Sequence, residues 1–275
     1  MSLHTRQERL EALGRVIDTL DILRVQCPWD RKQTNQSLRP NTIEETYELA
    51  QALMDDNNDE IRKELGDVLL HVLFYAKIGD EKQAFDIADV ADALNEKLIF
   101  RHPHIFGDVK VNGEQDVLTN WEAIKLKEKG GNRTVLAGVP AALPALVKAF
   151  RVQEKAANVG FDWDNAADVW NKVREEMYEV QTEIDSVARN IDSDDPELKR
   201  QSRDRLEAEF GDLLFSVINA ARKYKVNPEN ALERTNRKFI KRFNHIEAAA
   251  TARGLKLTDM TLQQMDELWN EAKKL

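Results

Sequence analysis

The sequence predicts an all-α protein that consists of two tandem helical modules. Apolar residues recur at the spacing of an α-helix along most of the chain, as in the run Leu10, Leu13, Val16, Ile17 and Leu20. The 275 residues include only 11 glycines and 7 prolines, which favours long helices over a strand-rich sandwich. Five sequence features also occur twice in the same order, and such a repeat indicates two copies of one structural module.

The repeat begins with a short tryptophan-aspartate segment, "CPWD" in the first half and "GFDWD" in the second. In each half a helix with two adjacent glutamates follows, and then a helix that opens with Glu-x-Gly-Asp. Next comes an Asn-x-Lys-x-x-x-Arg stretch, over residues 95–101 and 236–242. Each half then has a helical segment that contains a tryptophan, Trp121 in the first and Trp269 in the second.

The boundary between the modules is predicted in the segment "KGGNRTVLAGVPAALPAL", whose glycines and prolines interrupt the helical pattern from Gly130 to Pro144. We therefore predict an N-terminal module over residues 1–130, a linker over 131–143 and a C-terminal module over 144–275.

The two halves differ in the distance between their glutamate helices. Glu48 lies 16 residues before Glu64, whereas Glu179 lies 30 residues before Glu209. The additional segment, residues 185–202, is polar and strongly charged. We expect a surface loop there, with an extended helix end as the alternative.

Composition narrows the class of protein and its compartment. A net charge of −9 and a pI near 5.3 argue against nonspecific binding of nucleic acid over the whole surface. The single cysteine, Cys27, cannot form an internal disulfide, which fits a reducing cytoplasm. The N-terminal segment has no apolar signal core, and no stretch approaches the roughly 18 apolar residues of a membrane span. We expect a cytoplasmic protein that binds neither nucleic acid nor membrane.

The helix that opens with Glu-x-Gly-Asp combines carboxylates with an apolar surface. Glu64, Asp67 and His71 fall within one stripe of about 60°, and the remaining positions of that helix are mostly apolar. A polar stripe in the second half consists of Glu209, Asp212, Ser216 and Asn219. Such a pattern predicts a buried helix whose carboxylates face a cleft. Gly66 and Gly211 lie inside these helices, which predicts a close approach of another helix backbone at that point.

The preceding helix supplies more carboxylates: Glu44, Glu45 and Glu48 in the first half, and Glu175, Glu176 and Glu179 in the second. One such triplet alone is typical of an exposed face, but its repetition next to a buried partner helix indicates a site. An all-oxygen ligand set suits a hard cation such as Mg²⁺ or Mn²⁺. A di-iron bundle would need Glu-x-x-His repeats, which neither half has, and the five histidines and one cysteine lack the spacing of zinc ligands.

Basic residues next to the carboxylates predict a phosphate site. The i,i+4 pairs on one helix face are Lys97 with Arg101 and Lys238 with Arg242. Mg²⁺ usually binds together with substrate phosphates, and Lys or Arg neutralises the remaining charge. Lys172, one turn before Glu176, either reaches a phosphate or pairs with that carboxylate. Trp121 and Trp269 either stack on a base or pack in a core, and core packing is the expectation for Trp121.

The motifs "EETYE…ELGD" and "EEMYE…EFGD", each followed by Asn-x-Lys and Arg, resemble the Glu-Glu-x-x-Glu…Glu-x-x-Asp pattern of the MazG nucleoside triphosphate pyrophosphohydrolases. The resemblance covers nearly the whole chain and includes its tandem arrangement. It implies an all-α fold of the nucleoside triphosphate pyrophosphohydrolase type and a homodimer. It also implies Mg²⁺-dependent hydrolysis of (d)NTPs, ATP included, to monophosphate and pyrophosphate, a house-cleaning activity on the nucleotide pool.

The resemblance also implies roles for individual residues. By position, the metal ligands would be Glu176, Glu179, Glu209 and Asp212, with Glu45, Glu48, Glu64 and Asp67 in the N-terminal half. The residues that match nucleotide-contacting places are Lys172, Arg205, Lys238, Arg242 and Trp269. Independently of the resemblance, the chemistry of a metal-bound water favours a free glutamate of the cluster, Glu175 or Glu44, as the group that orients or deprotonates it. The first half has Asn41 and Glu60 where the second has Lys172 and Arg205, so we expect the second half to carry the catalysis.

Two other functions fit the same motifs. A nucleotide-sensing regulator would bind nucleotide with little turnover, and a helical dimerisation protein would show no metal-dependent change in stability. Complete carboxylate sets in both halves argue against the regulator.

Overall fold

A computed structural model of the protein describes residues 3–113, 116–117, 124 and 134–274. Within these ranges the regular secondary structure is helical and includes no strand, which confirms the all-α prediction. The chain divides into two compact units, Met1–Glu114 (unit 1) and Gln115–Leu275 (unit 2). The predicted module limits of 1–130 and 144–275, with a linker at 131–143, stay a prediction because most of 118–133 lies outside the described residues. Trp121 lies outside them too.

The described residues of unit 1, 3–113, form five α-helices: α1 (Arg6–Gln26), α2 (Asn35–Asp55), α3 (Asn58–Glu81), α4 (Ile87–Arg101) and α5 (Pro103–Phe106). Side chains at the N-caps fix where the long helices begin, because they satisfy backbone N–H groups that the first turn leaves unpaired. Thr5 caps α1 and Thr34 caps α2, each in a capping box. Asn57 caps α3 directly after α2 has ended, and this tight connection packs α2 and α3 side by side.

The core of unit 1 joins its first three helices. Its buried members are Leu20 from α1, Leu38 from α2, and Leu73, Phe74 and Ile78 from α3. Gly79 is required next to this core, because a Cβ at that position would lie 2.7 Å from the carbonyl oxygen of Phe85. The core therefore fixes the C-terminal half of α3 and leaves its N-terminal half, with Glu64 and Asp67, to form the site.

Unit 2 contains α6 (Ala145–Ala157), α7 (Ala166–Asn190), α8 (Pro196–Lys223), α9 (Pro228–Ala252) and α10 (Leu262–Ala272). Val169, Val173 and Ala220 form the buried contact between α7 and α8, and Leu213 packs against them. The buried Gln153 attaches α6 to α8, because its Nε2 donates to the carbonyl oxygen of Phe215 at 2.8 Å. The last helix, α10, packs on α9.

The connection between α7 and α8 differs from the expected surface loop, and that prediction is wrong. The additional residues extend both helices, so that α7 ends at Asn190 and α8 begins at Pro196. The Asp195 side chain accepts from the backbone N–H of Glu197 at 2.9 Å and thereby caps α8. The Asn190 Nδ2 donates to the Oγ of the buried Ser202 at 2.8 Å and joins the two helix extensions.

The helices that contain Glu-x-Gly-Asp, α3 and α8, begin at Asn58 and Pro196, so the prediction that they open with this motif is wrong. Each of them leaves part of its apolar surface exposed. On α3 the exposed apolar residues include Leu65, Leu70 and Val72, and on α8 they include Phe210, Leu214, Phe215 and Val217. The prediction that another helix backbone approaches Gly66 and Gly211 is wrong within the described chain, since a Cβ at either position meets nothing within 4 Å. The described helices that pack on α3, including α1 and α2, and those that pack on α8, including α6 and α7, leave the surface around these glycines open. No described helix is both long and apolar enough to cross a membrane.

Candidate active site

The carboxylates predicted in unit 1 lie together between α2 and α3. Glu45 and Glu48 from α2 and Glu64 from α3 each offer an oxygen, and these oxygens all lie within 4.8 Å of one another. Asp67 is half-buried and outside that group of three, although its charge acts on Glu45. Glu44, by contrast, is exposed.

Glu64 is the buried member of the unit 1 cluster, with 3% of its surface exposed. Its Oε1 accepts from the Lys63 Nζ at 2.8 Å, while its buried Oε2 has no hydrogen-bond partner among the described residues. Helical spacing does not predict Lys63 as a partner of Glu64, because a neighbour at i−1 points away from the carboxylate stripe on an ideal helix. The long, flexible side chain of Lys63 nevertheless reaches the Glu64 carboxylate. The only sequence signal for this pair is that Lys63 is adjacent to Glu64 in the chain.

The carboxylates of the unit 1 cluster repel one another. Burial raises the pKa of Glu45, and the negative charges of Asp67, Glu48, Glu64 and Glu44 raise it further. Both causes disfavour the ionised carboxylate, and a bound cation would relieve both. The hydrogen bond and charge of Glu64 raise the pKa of Lys63, so this lysine stays charged.

A buried polar network lies one turn beyond the unit 1 carboxylates. The Thr42 Oγ1 is 2.9 Å from the His71 Nδ1 and 2.6 Å from the Tyr75 hydroxyl oxygen. Burial lowers the pKa of His71, and the negative charge of Asp67 opposes that shift. By sequence register, unit 2 has Val173, Ser216 and Ala220 at these positions, so the two units differ chemically at this level.

In unit 2 the structure brings together all five carboxylates that the sequence predicts as catalytic. They form two overlapping groups with oxygens within 4.8 Å: Glu175, Glu176 and Glu179, and Glu176, Glu209 and Asp212. Glu176 belongs to both groups and is the buried member, with 4% of its surface exposed. The double-glutamate helix α7 and the Glu-x-Gly-Asp helix α8 therefore supply one site.

Lys172 pairs with this cluster. Its Nζ lies 2.5 Å from the Glu176 Oε1 and 2.8 Å from the Glu175 Oε1. The hydrogen bonds to Glu175 and Glu176 raise the pKa of Lys172, so its charge persists at neutral pH. The second oxygen of Glu176, Oε2, is buried and has no partner among the described residues.

Glu179 shows the same repulsion as Glu45 does in unit 1. Burial is the largest cause that raises the pKa of Glu179, followed by the charge of Glu176 and a hydrogen bond to it. The charge of Lys172 opposes this shift, whereas that of Glu209 adds to it.

Arg205 does not contact the carboxylate cluster directly. Its Nε is 3.1 Å from the Glu183 Oε2, and one of its terminal nitrogens is 3.4 Å from both the Ser186 Oγ and the Ser202 Oγ. Arg205 thus bridges α7 and α8 one turn away from Glu209. A contact with nucleotide would require it to leave or share the Glu183 carboxylate.

Three further predicted nucleotide contacts lie on α9 and α10. The Arg242 guanidinium lies 5.3 Å above the Trp269 ring, and the Phe239 ring packs 5.2 Å from that tryptophan. Lys238 is exposed on the same helix as Arg242. Among the described residues, no ion pair or hydrogen bond joins Lys238 or Arg242 to the carboxylates of the cluster.

Both clusters fit a divalent cation. Their donors are carboxylate oxygens, which hard cations prefer. Each cluster also contains one buried oxygen for which the described part of the chain supplies no partner, the Oε2 of Glu64 or of Glu176. An unpaired buried carboxylate oxygen is costly, and a cation would supply the missing interaction.

Sequence comparisons show that the chain is similar to known proteins. A family model described as the MazG nucleotide pyrophosphohydrolase domain matches twice, over residues 33–106 and 166–247. The chain is 44% identical over 248 residues to the nucleoside triphosphate pyrophosphohydrolase/pyrophosphatase MazG of Thermotoga maritima, covering 90% of this chain and 89% of the relative. It is 40% identical over 250 residues to the nucleoside triphosphate pyrophosphohydrolase of Escherichia coli K12, covering 90% of each. The uncharacterized protein YabN of Bacillus subtilis is 50% identical over 249 residues, which are 90% of this chain and 48% of YabN.

Proposed function

The chain belongs to the MazG nucleotide pyrophosphohydrolase family, and from this we propose that it hydrolyses nucleoside triphosphates to monophosphates and pyrophosphate with Mg²⁺. The observation that carries this proposal is the unit 2 cluster. There the buried Glu176 has one oxygen that is unpaired among the described residues, four further carboxylates approach it, and Lys172 adds a fixed positive charge. This combination suits a metal-bound polyphosphate.

We assign the metal to the two carboxylate sets that the motifs define. In unit 2 its ligands would be Glu176, Glu179, Glu209 and Asp212, and in unit 1 they would be Glu45, Glu48, Glu64 and Asp67. The same oxygens would accept Mn²⁺. When bound, the ion supplies Lewis-acid polarisation of the phosphate and a lower pKa for a coordinated water.

The residues of the chain supply proton transfer and charge neutralisation. We assign Glu175 as the base, because it is exposed, belongs to the cluster and is oriented by Lys172. It would take a proton from water as the water oxygen attacks the phosphorus adjoining the nucleoside. The bond from that phosphorus to the bridging oxygen then breaks, and pyrophosphate leaves with the oxygen. Lys172 would stabilise the charge that develops on the phosphates.

We propose that the remaining basic and aromatic residues bind the nucleotide. Lys238 and Arg242 would contact phosphates, and the Trp269 ring, which Arg242 and Phe239 hold in place, would contact the base. Arg205 would contribute positive charge from the rim of the cluster while it is paired with Glu183. The house-cleaning role and the cytoplasmic location remain part of this proposal.

We also propose that the protein is a homodimer. The exposed apolar faces of α3 and α8 support this, since a second chain is the partner that would cover them in solution.

Product analysis tests the proposed activity. The protein is incubated with each NTP and dNTP and Mg²⁺, and the nucleotide products and pyrophosphate are quantified, with a chelator as the control. We expect equal amounts of monophosphate and pyrophosphate, and none with the chelator. Diphosphate with orthophosphate would contradict the proposed bond cleavage. Metal-dependent nucleotide binding without products would instead favour a nucleotide sensor, and no metal-dependent change in stability would favour a dimerisation protein.

A further inference from the structure

The proposed hydrolysis uses no residue of the additional segment of unit 2, residues 185–202. This segment lengthens α7 and α8, and two of its serines contact the side chain of Arg205. Arg205 lies four residues, about 6 Å along the helix, before the proposed metal ligand Glu209 on α8. The segment therefore contacts a basic side chain that borders the carboxylate cluster.

The guanidinium group of Arg205 is held along one edge. Its Nε donates to the Glu183 Oε2 at 3.1 Å, and its Nη2 lies 3.4 Å from the Oγ of both Ser186 and Ser202. The contacts to the serines are long for hydrogen bonds, so the ion pair with Glu183 is the stronger restraint. None of the described residues accepts a hydrogen bond from the Arg205 Nη1, and 47% of the side chain is exposed. The second edge of the guanidinium is therefore open to a ligand.

Ser202 is an acceptor whose orientation is fixed. It has 1% of its surface exposed, and its hydroxyl donates to the carbonyl oxygen of Leu198 at 2.9 Å. A serine hydroxyl has one proton, so its lone pairs serve its other two neighbours, the Asn190 Nδ2 at 2.8 Å and the Arg205 Nη2. Asn190 is the last residue of α7, so the two helix extensions are joined at the place where Ser202 meets Arg205.

The described part of unit 1 has neither this ion pair nor the helix extensions. Counted from the matched glutamates, Ala52 and Glu60 stand where unit 2 has Glu183 and Arg205. Only two residues separate α2 from α3 in unit 1. The arginine and the segment that restrains it therefore occur together, in the unit that also has the lysine of the carboxylate cluster, Lys172.

We propose that the additional segment and Glu183 position Arg205, so that its open edge binds a phosphate of the nucleotide. Glu183, Ser186 and Ser202 are then positioning residues, since they act through Arg205 and contact no substrate. The inference rests on the proposed function, in which Arg205 supplies positive charge beside the metal-bound triphosphate. A guanidinium that is restrained before binding loses less conformational freedom when it pairs with phosphate, so the restraint strengthens nucleotide binding.

Titration of the full chain with Mg²⁺ and an ATP analogue tests this proposal. In the analogue a methylene group replaces the oxygen between the α and β phosphorus atoms, so that it reports binding without cleavage. Glu183→Asp keeps the charge but is one methylene shorter, and it should weaken binding about threefold to tenfold because the contact with Arg205 is lost. Glu183→Gln keeps the length and an acceptor oxygen, and it should retain most of the affinity. Ser186→Ala should weaken binding about twofold, because its contact is long.

Ser193→Ala is the matched control for Ser186→Ala. Ser193 belongs to the same segment, but its Oγ accepts from the backbone N–H of Asp195 and does not contact Arg205. This variant should leave the affinity for the analogue unchanged. The decisive comparison repeats Glu183→Asp in a chain that also carries Arg205→Ala, where a residue that acts through Arg205 has no further effect. Circular dichroism of each variant confirms that it is folded.

Equal weakening by Glu183→Asp with and without Arg205 would overturn the proposal, since Glu183 would then support only the helix extensions. Tighter binding by Glu183→Gln, with no effect of Glu183→Asp, would overturn it too, because Glu183 would act through its charge. Unchanged affinity in Arg205→Ala, or an unsubstituted chain that does not bind the analogue, would also contradict it.

Product analysis with ATP separates this inference from the proposed function. Binding of the analogue that follows the predicted pattern, without formation of pyrophosphate from ATP, would contradict the hydrolysis and support the positioning of Arg205. Formation of pyrophosphate by a chain whose analogue binding is indifferent to Glu183→Asp would support the hydrolysis and overturn the positioning.

Discussion

At the residue scale, the two units bury different members of the same carboxylate set. In unit 1 the buried glutamate is Glu64 on α3, and in unit 2 it is Glu176 on α7. A lysine accompanies each one, Lys63 in the first case and Lys172 in the second. The motifs predicted the carboxylates that come together, except that Asp67 lies outside the unit 1 group. They did not predict which one is buried, because burial depends on a lysine outside the motif and on the packing of neighbouring helices.

Removal of Lys172 should destabilise the metal-free protein. Lys172→Met keeps the apolar stem but leaves the buried Glu176 without its charged partner, which costs about 1–3 kcal/mol. Mg²⁺ should restore much of the lost stability, because it takes over the same carboxylate. Thermal unfolding with and without Mg²⁺ measures both effects. Lys241→Met, at an exposed position on α9, is the control and should behave like the unchanged protein. Equal stability of the Lys172→Met and Lys241→Met variants would contradict a stabilising ion pair between Lys172 and Glu176.

The raised pKa values of Glu45 and Glu179 predict opposite pH effects on stability and on metal binding. A carboxyl group whose pKa is raised on folding favours the folded state while it is protonated. The metal-free protein should therefore lose this contribution as pH rises through the raised pKa values, which lie above the ordinary 4.5. Metal affinity should fall as pH decreases through the same range, since protons compete for the ligands.

Metal titrations from neutral pH down to about pH 5, with parallel melting curves, measure both effects. Glu45→Gln with Glu179→Gln should flatten both pH dependences. Metal affinity that stays constant over this range would contradict the account.

At the element scale, helical spacing predicted the helices correctly but misjudged how they are covered. The charged segment 185–202 forms helix extensions, because the Asp195 cap and the contact of Asn190 with Ser202 satisfy polar groups that a loop would leave to water. The apolar pattern of α3 and α8 indicated full burial, yet each unit leaves part of that surface exposed. A sequence pattern shows that a helix face is apolar, but it does not show whether the residues that bury this face belong to the same chain.

The exposed faces of α3 and α8 should mediate dimerisation. Leu65 on α3 and Leu214 on α8 have 52% and 61% of their surface exposed. Leu65→Glu or Leu214→Glu would place a charge in an apolar contact and should shift the mass measured by light scattering from two chains to one. Leu262→Glu on α10, whose leucine is 72% exposed outside these faces, is the control and should stay dimeric. A protein that is monomeric before substitution, or variants that stay dimeric, would contradict the assignment.

At the scale of the whole molecule, the repeat explains the architecture but not a division of labour. The sequence predicted two similar all-α modules, and the described residues confirm two units with a carboxylate cluster in each. The units differ where the repeat is imperfect. Asn41 and Glu60 replace Lys172 and Arg205, and Ala52 replaces Glu183, the ion-pair partner of Arg205. The replacements at Asn41 and Glu60 can be read from the sequence, whereas the ion pair of Arg205 with Glu183 is a contact between helices that the order of motifs does not specify.

Pyrophosphate release by matched variants in the two units tests the central claim, that unit 2 performs the chemistry. Each charge-assisted hydrogen bond to phosphate contributes roughly 1.5–3 kcal/mol, and unit 1 lacks the counterparts of Lys172 and Arg205. We predict that Glu176→Ala or Asp212→Ala abolishes most turnover at saturating Mg²⁺, whereas Glu45→Ala or Asp67→Ala leaves much of it. Circular dichroism of each variant confirms that it is folded. Equal loss of pyrophosphate release from the two sets of variants would contradict the account and indicate two equivalent sites.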